Sequence, residues 1–316
     1  MQKLIIYITD YWKEEIKWQH LLSVMTFLGI CIFGEYYFHL KQQWMYPHIQ
    51  TIDYFFLYIV FYSIPVLFTL LSYCYFFNRK DILTNVPFWL TLLYVISTYS
   101  FRSYFYQHRL LVTSLNGGVY DRFLIKCANE STQALLIFSV VFVYWLVADK
   151  RINQTFYGFK IKGVDIKPYL IMLAGMVPLI GIASTQSDFL LTYPTFQSLI
   201  DNQVGHALLF GKISMYEILY GSDYVATELF FRGFMLVALG KYLGKGAILP
   251  MASMYVFIHF GKPLGETISS FFGGMILGII AYETKSIIGG IIVHCGIAYL
   301  MELGGFIGNA VQHSAP

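Results

Sequence analysis

Charge is scarce in this chain. Of 316 residues, 21 are Lys or Arg and 18 are Asp or Glu, 12% in all. A soluble domain carries about 25%, so there are too few ionised side chains to cover a water-facing globule of this length. The net charge of +3 is small and scattered. No basic stripe exists to follow a phosphate backbone, which excludes nucleic acid as a partner. Cysteine is nearly absent too: Cys31, Cys74, Cys127 and Cys295 show no CxxC spacing, and most lie in apolar runs. They read as small core residues rather than a disulfide or zinc framework. Internal repeats and low-complexity tracts are missing. The opening MQKLIIYITDYWKEEIKWQH intersperses charges where a signal-peptide core would lie, so no cleavable signal is expected.

Apolar length fills the place of charge. Hydrophobic residues make up 57% of the chain, gathered into runs long enough to cross a bilayer. About nine such runs stand near 20–38, 54–77, 86–101, 133–148, 168–185, 213–240, 247–261, 267–284 and 287–306. The expected fold is an all-α, polytopic transmembrane helical bundle embedded in the lipid bilayer. Lys and Arg gather in the connections NRKD (78–81) and DKRINQTFYGFKIKGVDIKP (149–168), and at Lys241, Lys245 and Lys285. The positive-inside rule then places the N-terminus in the cytoplasm. Residues 102–132, read as a connection, run against that scheme with Arg102, Arg109, Arg122 and Lys126. The long polar connection divides the chain into N-terminal helices (1–150) and a C-terminal core (151–316). Glu35, near a span end, is expected to reach toward the interface.

Ionisable residues inside the later runs carry the chemistry. Glu228 and Arg232 are four apart, so on a continuous α-helix they share a face and can pair. An isolated charge at mid-bilayer costs roughly 2.5–3.5 kcal/mol on insertion scales. A pair serving only helix packing would explain them as well. His259 ends one apolar run and His294 lies inside the next. One histidine in a membrane helix is most often a hydrogen-bonding core residue. Two histidines and a glutamate on three consecutive helices form a set that can hold a metal ion or activate water.

These residues resemble the motifs of the CPBP (Abi) family of intramembrane proteases, which includes the type II CAAX prenyl proteases. The family pattern is EExxxR, FxxxH and HxxxN or HxxxD on successive membrane helices. Here the three read Thr227-Glu228-Leu229-Phe230-Phe231-Arg232, Tyr255-Val256-Phe257-Ile258-His259 and His294-Cys295-Gly296-Ile297-Ala298. The resemblance implies a CPBP-like protease core over 151–316. In the bacterial cytoplasmic (inner) membrane, it would hydrolyse peptide bonds of prenylated or membrane-associated protein substrates. Glu228, Arg232, His259 and His294 would be catalytic, and Glu228, His259 and His294 the ligands of a zinc ion, since the family is commonly labelled as metalloproteases.

Two positions depart from the pattern. Thr227 stands where the family keeps a glutamate, and Ala298 where it keeps an asparagine or aspartate. Threonine is no general base near neutral pH, and alanine donates nothing from its side chain. Substitute carboxylates are available at Glu266, Glu302 and Asp223, besides Glu228 itself. Asp223 can also be read as a helix cap, and Glu266 and Glu302 as interfacial acids. Three readings follow: an intramembrane endopeptidase, a non-catalytic relative that binds or scaffolds membrane partners, and a transporter. The last lacks the repeats and broken helices that transporters show.

Overall fold

A computed structural model describes residues 2–116, 121–150, 155–196 and 206–314, and among these the regular structure is helical without a strand. The helices are α1 (Gln2–Glu14), α2 (Trp18–Phe38), α3 (Ile52–Phe77), α4 (Val86–Tyr104), α5 (Gln107–Leu115) and α6 (Arg122–Tyr144). They continue as α7 (Lys167–Ala183), α8 (Ser187–Thr192), α9 (His206–Glu228), α10 (Leu236–Leu243), α11 (Ile248–Ile258), α12 (Leu264–Thr284) and α13 (Ile288–Ser314). Six segments among the described residues are long and apolar enough to cross a membrane: 18–38, 52–77, 122–149, 209–258, 264–284 and 288–312. The chain is an integral membrane protein.

The nine predicted runs all fall in helices, but nine exceeds these six. Runs 86–101 and 168–185 form α4 and the 17-residue α7, which are not among the six. Runs 213–240 and 247–261 lie together in the segment 209–258. Fifty residues of helix would measure about 75 Å against a hydrocarbon thickness of about 30 Å. Gly244 interrupts it with φ 59° and ψ −135°, a conformation closed to L side chains. The described residues of 102–132 are largely helical: they contain α5 and the charged start of α6, where Lys126 and Glu130 pair at 2.8 Å one turn apart.

The chain forms two compact units that interleave in sequence. The first comprises Met1–Tyr104, Val141–Val164 and Leu229–Ile287. Its centre is α11, buried at every position from Ile248 to Phe257, and packed on α3 and α12. Close approach depends on glycine: a methyl group at Gly278 would lie 2.5 Å from Met251 Cε. Glu35 is buried, 7% exposed, and its Oε2 accepts from the backbone N–H of Lys41, just past the end of α2, at 2.9 Å. Lys41 Nζ donates to the Phe260 carbonyl, and burial holds this lysine below its usual pKa.

A second buried acid of this unit, Asp149, is fully enclosed and held by the Tyr157 hydroxyl and the Lys241 ammonium. The connection after α6 is thereby tied to α10. Lys241→Met, which leaves the carboxylate without its cation, is expected to destabilise the protein by roughly 3 kcal/mol. Asp149→Asn added to it should restore part of the loss. Thermal inactivation in detergent measures both, and a neutral Lys241→Met would show that the pair is not structural.

The second unit comprises Phe105–Val140, Asp165–Glu228 and Ile288–Pro316. Its centre is α13, against which α7, α8 and α9 pack. Small residues again set the distances. A methyl group at Gly289 would meet the Tyr169 ring at about 2.0 Å, and one at Gly305 the Tyr193 backbone at 2.4 Å.

Candidate functional site

The segment ATELFFRG straddles a change in helix type. α9 ends at Glu228, and Leu229–Met235 continues as a π-helix with every residue buried. Hydrogen bonds in such a turn run i→i+5, widening the helix, and π-turns inside α-helices are frequent at functional sites. Glu228 and Arg232 therefore lie on either side of this change of helix type. Glu228 belongs to the second unit and Arg232 to the first.

In the second unit Glu228 is fully buried, and its Oε1 accepts a hydrogen bond from His294 Nδ1 at 2.9 Å. A carboxylate accepts only, so the Nδ1 position carries the proton and Nε2 the lone pair of the neutral ring. His294 is 11% exposed and Glu228 not at all, so the histidine is the partner within reach of an incoming molecule. Tyr224 stands edge-on to the His294 ring, centroids 4.6 Å apart, and donates its own hydroxyl to Tyr220 at 2.6 Å. Gly290, one turn before His294 on α13, makes room for the acid: a methyl group there would lie 2.3 Å from Glu228 Oε2. In the sequence Gly289-Gly290, like Gly273-Gly274 and Gly278, read only as small residues that mark close helix approach. Tyr224 did not stand out, its one signal being the four-residue spacing to Glu228.

Thr227 is buried beside Glu228 on α9, at 5% exposure. Ala298 lies in an apolar cluster with Phe123, Cys127, Tyr216 and Tyr220. Packing occupies the place of the family's polar residue.

In the first unit, Arg232, Tyr255 and His259 form a row. The Arg232 guanidinium carbon stands 4.1 Å from the Tyr255 ring centroid, in cation–π geometry, and the Tyr255 and His259 rings are 4.6 Å apart. His259 Nδ1 is 2.7 Å from the Tyr255 carbonyl, which makes it the donor and leaves Nε2 as the lone-pair nitrogen. Thr267 steadies the turn by donating to the His259 carbonyl at 2.8 Å. The aromatic position of the second motif thus spaces a cation from an imidazole.

The substitute carboxylates are dispersed. Asp223 lies inside α9, several turns past its start at His206, so it is no N-terminal helix cap. Glu266 is in the first turn of α12, where an acid suits the helix dipole. Continuity from His259 to Glu266 fails, since α11 ends at Ile258 and α12 begins only after Pro263. Glu302 is 4% exposed rather than interfacial. Its oxygens accept from the Thr195 backbone N–H at 2.9 and 3.0 Å and from the Thr195 hydroxyl at 2.6 Å, tying the segment after α8 to α13.

Zinc bound by protein alone needs at least three donors at about 2.0–2.3 Å. Among the described residues, no group of three His, Cys, Asp or Glu side chains is gathered so as to hold a metal ion. The Glu228–His294 contact has hydrogen-bond length. Of the expected set, Glu228 and His294 belong to the second unit and His259 to the first.

Residues 215–300 match the model of the type II CAAX prenyl endopeptidase Rce1-like family. The match contains all three motifs and supports the CPBP, CAAX-protease-type resemblance over that segment. No curated protein and no solved structure matches the chain.

Proposed function

We propose that this protein is an intramembrane endopeptidase in which His294 activates water and Glu228 positions His294. The observation that carries the reading is the fully buried Glu228 carboxylate on His294 Nδ1, within the segment that matches the endopeptidase family. The two groups repeat the logic of the buried acid and histidine of hydrolases, in which the acid sets tautomer and orientation and stabilises the imidazolium. His294 Nε2 takes a proton from water as the oxygen attacks a peptide carbonyl. It returns that proton to the departing amine when the tetrahedral intermediate collapses. The sequence reading left the water to Glu228, His259 and His294 together, and here it falls to His294. The reason is burial: no surface of Glu228 is left for a water molecule, whereas His294 keeps some.

His259 and Arg232 enter the reading through the motifs, with His259 Nε2 as its functional atom. Substrates are peptides or membrane-associated proteins, of which prenylated CAAX-type chains are one class. We infer a cytoplasmic N-terminus from the distribution of Lys and Arg, and the bacterial inner membrane from the family resemblance alone. The test is cleavage of farnesylated and unmodified CAAX-type peptides by the purified chain, with His294→Ala and His259→Ala beside it. Absence of turnover in the wild type, or turnover indifferent to His294→Ala, would sink the proposal. Chelation with EDTA is expected to leave turnover within twofold of the untreated enzyme. Loss on chelation, with recovery on adding zinc, would restore the metal mechanism.

One observation favours a second reading. Ala298 is sealed into the tyrosine cluster and Thr227 replaces the first acid, as a non-catalytic relative that binds or scaffolds membrane partners would tolerate. Cleavage that appears only in Thr227→Glu/Ala298→Asn would identify that state.

A further inference from the structure

The first unit contains a cavity of 210 Å³ lined in part by Arg232, Lys285, Tyr157, Tyr282, Thr155 and Ser286. We propose that it binds the phosphate group of an anionic phospholipid. Two cations line it, and no acid lines it among the described residues. The Arg232 guanidinium is 2% exposed, and Lys285 is exposed and stacked on Tyr282, its Nζ 3.9 Å from the ring centroid. Two acids on neighbouring elements have partners of their own: Asp149 is held by Lys241 and Tyr157, and Glu283 pairs with Lys245 at 2.9 Å. The charged side chains lining the cavity are both cations, beside the hydroxyls of Thr155 and Tyr282. A guanidinium fork and an ammonium suit phosphate oxygens.

Depth selects the source of the phosphate. Lys285 directly follows Thr284, the last residue of the membrane-crossing α12, where headgroups lie and where Tyr282 fits an interfacial belt. The wall opposite is rigid. Ile287 N–H donates to the Gly158 carbonyl at 3.0 Å and the Ser286 hydroxyl to the Lys160 carbonyl at 3.2 Å. Gly158, at φ 82°, leaves no room for a methyl group, which would lie 3.2 Å from Ile287 N. Burial also holds Lys285 below its usual pKa, so an adjacent anion would favour its charged form.

Native mass spectrometry of the full chain in detergent, titrated with phosphatidylglycerol, phosphatidylcholine or inorganic phosphate, tests the assignment. One saturable phosphatidylglycerol is expected, bound more tightly than phosphatidylcholine. Lys285→Gln should weaken it about fivefold, the worth of one interfacial lysine, and Lys285→Glu should weaken it further. Lys285 is exposed, so both variants should keep the wild-type thermal midpoint. Equal binding of the two lipids, or indifference to both substitutions, overturns the proposal. Inorganic phosphate binding as tightly as phosphatidylglycerol would assign a soluble anion and overturn the lipid source. Displacement by a peptide with a free C-terminal carboxylate, but not by its amide, would make the site a peptide anchor instead. The measurement reads binding alone, so it is independent of how the cleavage assay turns out.

Discussion

Glu228→Gln is expected to reduce peptide cleavage by about 10²–10⁴-fold, with little change in KM. The amide keeps the size of the carboxylate and can still accept from Nδ1–H, so the helix contacts survive. What it loses is the negative charge that stabilises the imidazolium formed when His294 takes a proton. It can also turn its NH₂ toward the ring and select the wrong tautomer. Glu228→Asp keeps the charge on a shorter arm and should recover part of the rate. A histidine serving only helix packing would yield no such ordering of Glu, Asp and Gln. Turnover equal in all three, measured at saturating peptide, would show that the pair is structural.

Gly290→Ala should be as damaging, without replacing any ionisable group. The added methyl would sit 2.3 Å from Glu228 Oε2, far inside van der Waals contact, and neither side has slack. Glu228 is enclosed, and Gly290 is itself buried on the central helix of its unit. The carboxylate must move off His294, or α13 must shift. Overpacking of this kind costs about 1–3 kcal/mol, and a displacement of about 1 Å at a reacting group costs about 10²-fold in rate. Gly273→Ala is the control, because nothing lies within 4 Å of a methyl group there. Combining Gly290→Ala with Glu228→Asp, which withdraws the carboxylate, should recover stability before activity. If Gly290→Ala and Gly273→Ala behave alike in melting and turnover, the close fit of Glu228 against α13 is refuted.

Membrane class, helical fold and the residues of interest were legible in the chain because each is a local property. Twelve per cent charge and long apolar runs leave few solvents other than lipid. Glu228, Arg232, His259 and His294 stood out because each is costly where it lies. Their spacing matched a family pattern without any knowledge of the fold. The span count was less legible, since apolarity reports burial and membrane crossing alike; α4 and α7 could pass for either.

Directions and partners needed the tertiary structure. A π-turn at Leu229–Met235 is invisible in composition, yet it follows directly on Glu228 and contains Arg232. Glu302 looked like a spare carboxylate until its oxygens were found on Thr195, more than a hundred residues away in sequence. Gly290 looked like one more small packing residue until a carboxylate was found against it. The sequence by itself determined what this protein is made to live in and which side chains are too expensive to be idle. Only the packing of helices distant in sequence decided that Glu228 is enclosed and His294 is the group left to act, because burial belongs to the surroundings and not to the residue.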